Sequence, residues 1–128
     1  MKLPISTAYV FILILGLAWA GCKKDEKRDY LAEADCTLID PETNRYTNVV
    51  QPIMLLSCAL SGCHDAATQS EGINLSTYTG VKTAFQTKDV LCAINHGEDC
   101  EPMPKGGAKL NGATLNLLAC WAKNGYKE

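Results

Sequence analysis

The chain has 128 residues, with 12 Lys and Arg against 14 Asp and Glu and a formal charge of −2. That length holds one domain, and the absence of a basic excess excludes nucleic acid as a natural partner, since such binding rests on cations that neutralise phosphates. Seven cysteines in so short a chain point instead to a small core strengthened by covalent or cofactor staples.

The N-terminus reads as an export signal. Met1 and Lys2 give a positive start, and residues 8–20 (AYVFILILGLAWA) form an apolar run that falls short of the roughly 20 residues a spanning helix needs. Ala20-Gly21-Cys22 resembles the lipobox of bacterial lipoproteins, with Trp19 in place of the usual aliphatic residue. Residues 1–21 are therefore expected to be removed and Cys22 to be acylated, which anchors the protein in the cell envelope. The anchor is expected in the outer membrane, with the protein facing the periplasm or the surface. Behind Cys22, KKDEKRDYLAEAD is dense in charge and poor in aliphatic residues, so residues 22–45 are expected to be a solvated tether and residues 46–128 the folded domain. Export places Cys36, Cys58, Cys63, Cys92, Cys100 and Cys120 in an oxidising compartment.

The domain reads as all-α. In YTNVVQPIMLLSCAL, Val50, Ile53, Met54 and Cys58 recur at helical spacing, and Pro52 is tolerated only in a first turn, so a helix is expected from Val50 or Gln51 with Met54 in the core. DAATQSEGIN (residues 65–74) reads as loop. A helix is expected over residues 78–86 behind Ser76 or Thr77 as N-cap, with Val81 and Phe85 on one face. Another is expected over residues 88–95, with Val90, Leu91 and Ile94 apolar and His96-Gly97 ending it. EDCEPMPKGGAK (residues 98–109) holds too many prolines and glycines to be regular. The last helix has Asn111 as N-cap, Leu115, Leu118 and Ala122 as its stripe, and Gly125 as its C′ glycine. No period-2 run of β-branched residues appears.

The chemistry concentrates in SCALSGCHD (residues 57–65). The haem-attachment signature is CxxCH, and Cys58, Cys63 and His64 give the same groups with two extra residues, CxxxxCH. A c-type haem needs two thiols for its vinyl groups and an imidazole for its iron, and this stretch supplies them in order. Ala59 and Leu60 are expected to continue the helical turn, with Ser61-Gly62 making the bend. For the sixth iron position Met103 is the first candidate, because Pro102 and Pro104 stiffen the backbone on both sides of its thioether. His96 is the competitor.

From residues 49 to 126 the chain resembles the small single-haem class I cytochrome c domains, in particular the planctomycete-type group common in bacterial lipoproteins. The matching segments are VVQPIMLLSCALSGCHD, GINLSTYTGVK, VLCAINHG, EPMPKGGAKLN and LLACWAKNGY; the CxxxxCH spacing is the departure. The resemblance implies about four helices around one covalently attached haem c, with crossing first and last helices. It makes Cys58 and Cys63 the thioether anchors, His64 the proximal ligand and Met103 the distal ligand, and it sets Trp121 in the last helix near the haem or the crossing. The remaining cysteines then suit two disulfides, Cys92 with Cys100 and Cys36 with Cys120.

The implied role is a membrane-anchored, single-electron carrier that meets other redox proteins, either on its own or as an accessory to an oxidoreductase. No nucleophile pair or open metal position suggests catalysis. Two other readings stand beside it. One is a disulfide-stapled envelope lipoprotein that binds a partner, with Cys58 and Cys63 joined and no haem. The other is a zinc site of Cys58, Cys63 and His64, completed by Cys92, Cys100 or His96.

Overall fold

The computed structural model describes residues 28–128; the export signal, the lipidation candidate Cys22 and the first residues of the charged segment lie outside the described residues. The described chain is all-α, as expected, with no strand among its elements. A wide π turn (Tyr46–Val50) runs into α1 (Gln51–Ser57). A single 3₁₀ turn (Ser70–Gly72) follows, then α2 (Tyr78–Thr87), α3 (Val90–Ile94) and α4 (Gly112–Lys123).

Three of the four described α-helices begin where a residue suited to a helix end stands in the sequence. Pro52 lies in the first turn of α1, where its missing N–H costs no intrahelical bond. Thr77 caps α2 by accepting the Gly80 N–H, and Asn111 caps α4 by accepting the Thr114 N–H at 2.9 Å. At the far end of α4, Gly125 takes φ +88°. Its N–H reaches the Ala122 carbonyl while the Tyr126 N–H reaches that of Trp121, the paired closure of a Schellman motif.

The first helix departs from expectation at both ends. The chain is already coiled from Tyr46, because Tyr46, Val50 and Met54 are all buried and a spacing of four keeps them on one face through the wide turn. At the other end α1 stops at Ser57 rather than running through Leu60. Cys58 is its C-cap, with φ −127° and ψ −48°.

The core forms around Trp121, which is fully buried. The rings of Tyr126, Phe85, Tyr46 and Tyr78 surround it at centroid distances of 5.1, 5.5, 6.2 and 6.5 Å, and most of these contacts are edge-to-face or tilted, as ring quadrupoles prefer. The indole Nε1–H donates to the Lys127 carbonyl at 2.7 Å, and the same carbonyl accepts the Tyr46 N–H at 2.8 Å. The last helix is thereby fastened to the π turn. Val50, Met54, Val81, Leu115 and Leu118 complete the apolar centre.

Residues 28–45 do not behave as a solvated tether. Asp35 and Asn116 exchange two hydrogen bonds, the Asp35 N–H to Oδ1 and the Asn116 amide to the Asp35 carbonyl. The Lys123 ammonium donates to the carbonyls of Ala32 and Ala34. Asn44 is buried and donates from Nδ2 to the Leu117 carbonyl, Glu42 pairs with Arg45 and Lys127, and Cys36 is bonded to Cys120. The physical reason is that α4 offers polar partners to the backbone of this segment, so its charged side chains face water while its main chain docks. The folded unit therefore begins well before residue 46.

The disulfide between Cys36 and Cys120 joins positions 84 apart, and closing a loop of that size is worth about 4 kcal/mol in the chain-entropy account. The double variant Cys36→Ala, Cys120→Ala is expected to lose about 2–5 kcal/mol of unfolding free energy in urea titrations. A loss below about 1 kcal/mol would show that docking of this segment does not depend on the bridge.

Candidate functional site

Cys58, Cys63 and His64 lie on a loop that closes on itself directly after α1. The Cys63 N–H bonds to the Leu60 carbonyl at 2.9 Å, making a tight turn through Ser61 and Gly62. Gly62 is at φ +83°, a conformation that the third residue of such a turn requires and a side chain opposes. The His64 N–H then returns to the Cys58 carbonyl at 3.3 Å. The two residues that lengthen the motif are therefore taken up by a turn, and His64 comes back beside the residue at the end of α1.

The segment from Asp65 to Leu75 holds His64 in place. The His64 carbonyl accepts the Leu75 N–H at 2.8 Å, and the Cys63 carbonyl accepts the Ser70 N–H at 2.9 Å. Asp65 accepts the N–H groups of Ala67 and Thr68, and the Thr68 hydroxyl accepts the Gly62 N–H. These bonds, those of Thr68 first, hold the Asp65 carboxyl below the usual carboxylate range. The imidazole Nδ1 lies 3.3 Å from the Ile73 carbonyl. A carbonyl can only accept, so Nδ1 carries the hydrogen, and in the neutral imidazole Nε2 then keeps its lone pair. That is the tautomer in which a histidine binds a metal with its second nitrogen oriented by the backbone.

The six described cysteines divide sharply. Four form the bridges Cys36–Cys120 and Cys92–Cys100, the two pairings anticipated from the sequence. Cys58 and Cys63 are the free ones. Cys58 is half-buried against the core, and Cys63 is exposed. Burial pushes the Cys58 thiol up to about 11, with the nearby Cys63 adding to the rise. In the same stretch of sequence Leu55, Leu56 and Leu60 keep 46, 79 and 46 % of their surface exposed, apolar surface within a few positions of Cys58.

Met103 is half-buried and packs against the core cluster. Its N–H donates to the Ala93 carbonyl at 3.0 Å, and its peptide bond to Pro104 is cis. His96, the competing candidate, is half-buried just past the end of α3. It takes φ +53° itself and sets its Nε2 3.1 Å from the Met103 carbonyl. Met54 is buried in the core, as expected, and Trp121 lies at the centre of the aromatic cluster.

Among the described residues no group of three or more His, Cys, Asp or Glu side chains converges to hold a metal ion, so the zinc set of Cys58, Cys63, His64 and a fourth ligand is not assembled. Nor is any described helix long and apolar enough to cross a membrane. Two open grooves of about 400 and 420 Å³ lie along the docked N-terminal segment, one beside Phe85 and Val90, the other beside Leu110 and Leu115. Neither is lined by Cys58, Cys63, His64 or Met103. The carbonyls of Ile73 and Ala93 are the site groups that the sequence did not indicate, since a backbone partner leaves no mark on residue choice. The Asp65 turn reads only as loop in the sequence, although an Asp followed three residues later by Thr is a signal for it. No protein-family model, curated protein or solved structure matches the chain.

The thiol environments make a direct prediction for the haem-free protein. At pH 8 an alkylating reagent is expected to label Cys63 at least about 10-fold faster than Cys58, because burial keeps Cys58 neutral. Labelling of Cys58 is expected to keep climbing between pH 9 and 11, the window set by its raised value. A Cys58 rate that levels off by pH 9 would contradict the burial of this thiol.

Proposed function

We propose that the chain is a lipid-anchored, monohaem c-type cytochrome of small class I fold that carries single electrons in the bacterial cell envelope. The observation that carries this reading is the division of the cysteines. Four close two disulfides, while the pair inside CxxxxCH is left as thiols directly ahead of a histidine whose Nδ1 faces the Ile73 carbonyl. A pair intended as a staple would be oxidised with the rest in the same compartment.

The donor set fits haem c. Cys58 and Cys63 would form the two thioethers, and the turn at Gly62 supplies the slack that the longer spacing requires. His64 would be the proximal ligand, oriented through Nδ1 by the Ile73 carbonyl. Met103 would be the distal ligand, on a loop held to α3 by its own N–H. His96 already uses Nε2 on the Met103 carbonyl, which favours Met103 over it. Haem supplies an iron that exchanges one electron, with a potential raised by Met/His ligation. The exposed leucines around Cys58 provide apolar surface for the macrocycle to cover. Were His64 and Met103 both bound to the iron, it would keep no open position for a substrate, which would suit a carrier between redox proteins or an accessory to an oxidoreductase rather than an enzyme.

Expression in a host that matures c-type cytochromes is expected to give a coloured protein with a reduced α band. A methionine-to-iron charge-transfer band is expected in the oxidised protein and is expected to vanish in Met103→Ala. A colourless product overturns the haem reading in favour of a haem-free, disulfide-stapled lipoprotein. A parent protein that is six-coordinate and low-spin yet lacks this band transfers the distal role to His96.

A further inference from the structure

Resting on the haem reading, we infer that His96 is a positioning residue for Met103, a side-chain clamp that fixes the loop carrying the distal ligand. Three observations lead there. The first is backbone cost. His96 occupies φ +53° immediately after α3, a place where glycine is the favoured residue and a branched or bulky side chain is opposed by about 1 kcal/mol. Gly97 is its neighbour, so the sequence puts the glycine one position too late to relieve it. Strain retained at a non-glycine residue signals a side chain with a task.

The second observation is where that side chain goes. Its Nε2 is 3.1 Å from the Met103 carbonyl, across seven positions of sequence. Since the carbonyl only accepts, Nε2 is the protonated nitrogen and donates. The left-handed turn at residue 96 is what directs the imidazole across the gap, so the strain and the hydrogen bond have one origin.

The third is that the rest of the loop is built on the same anchor. The Met103 N–H bonds to the Ala93 carbonyl, and the His96 N–H shares that acceptor at 3.1 Å. The Gly97 N–H bonds to the Cys92 carbonyl, and the disulfide between Cys92 and Cys100 closes the segment between them. Gly97 has no room for a side chain, since a Cβ there would lie 2.7 Å from the Cys92 Sγ and 2.8 Å from the Tyr30 hydroxyl. Both the N–H and the C=O of Met103 are thus held to the end of α3, one by backbone and one by His96. With both ends of its peptide environment fixed, the thioether swings only about its own side-chain bonds, and the loop presents sulfur to one place.

The test uses the full mature protein and three variants. His96→Gly removes the donor and also the backbone strain, so it is expected to be at least as stable to heat as the parent. Its Met103 amide is nevertheless expected to exchange with deuterium at least about 10-fold faster, and the methionine-to-iron band to weaken or disappear with haem still attached. His96→Gln keeps a donor of similar reach and is expected to restore both in part, whereas His96→Ala is not. Unchanged Met103 exchange and an undiminished band in His96→Gly would overturn the clamp. The exchange measurement reads the loop with or without haem. A colourless protein in which His96→Gly still accelerates Met103 exchange would therefore sink the haem reading alone and leave the clamp standing.

Discussion

The burial of one indole organises this domain. Trp121 comes from α4, and the rings around it come from the π turn, from α2 and from the segment after α4. Removing such a side chain from water gains of the order of a few kcal/mol, but its position matters more than its area. The Nε1–H and the Tyr46 N–H share the Lys127 carbonyl, so the apolar contact and the polar one are satisfied by the same geometry. Because Tyr46 leads directly into α1, that contact sets where α1 points and hence where it releases Cys58. The candidate site is the downstream end of a lever whose fulcrum is Trp121.

From that end the chain solves a spacing problem. A motif with four residues between its cysteines must bring the second thiol and the histidine back to the end of α1. A continued helix would have carried Ala59 and Leu60 around another turn. Instead α1 stops at Ser57, Gly62 reverses the chain, and the His64 N–H reaches the Cys58 carbonyl. The loop behind it is a set of short polar closures around Asp65 and Thr68, and its far end is tied to the core where the Leu75 N–H bonds to the His64 carbonyl.

Much of this was legible in the sequence where one residue type has one physical use. Pro52, Thr77, Asn111 and Gly125 marked helix ends because each answers a specific backbone need, and the ends fall there. The stripe of Leu115, Leu118 and Ala122 marked the buried face of α4. Illegible features were those settled by tertiary partners. Nothing in YTNVV announces a π turn, which follows from burying Tyr46 and Val50 together. The charged run before residue 46 read as a tether because composition reports side chains, whereas its docking is carried by main-chain groups bonded to Asn116 and Lys123. His96 read only as a helix end and a competing ligand, because sequence alone does not show where a left-handed residue aims its ring.

The proposed haem attachment would commit Cys58 and Cys63 to one macrocycle rather than to each other, and a single peptide reports which of the two holds. Tryptic digestion without reduction releases residues 46–82 as one peptide, since no Lys or Arg lies between Arg45 and Lys82. This peptide is expected to carry the mass of one haem, with neither cysteine open to an alkylating reagent. A haem-free peptide two hydrogens lighter than its dithiol form, with a bond between Cys58 and Cys63, would contradict haem attachment.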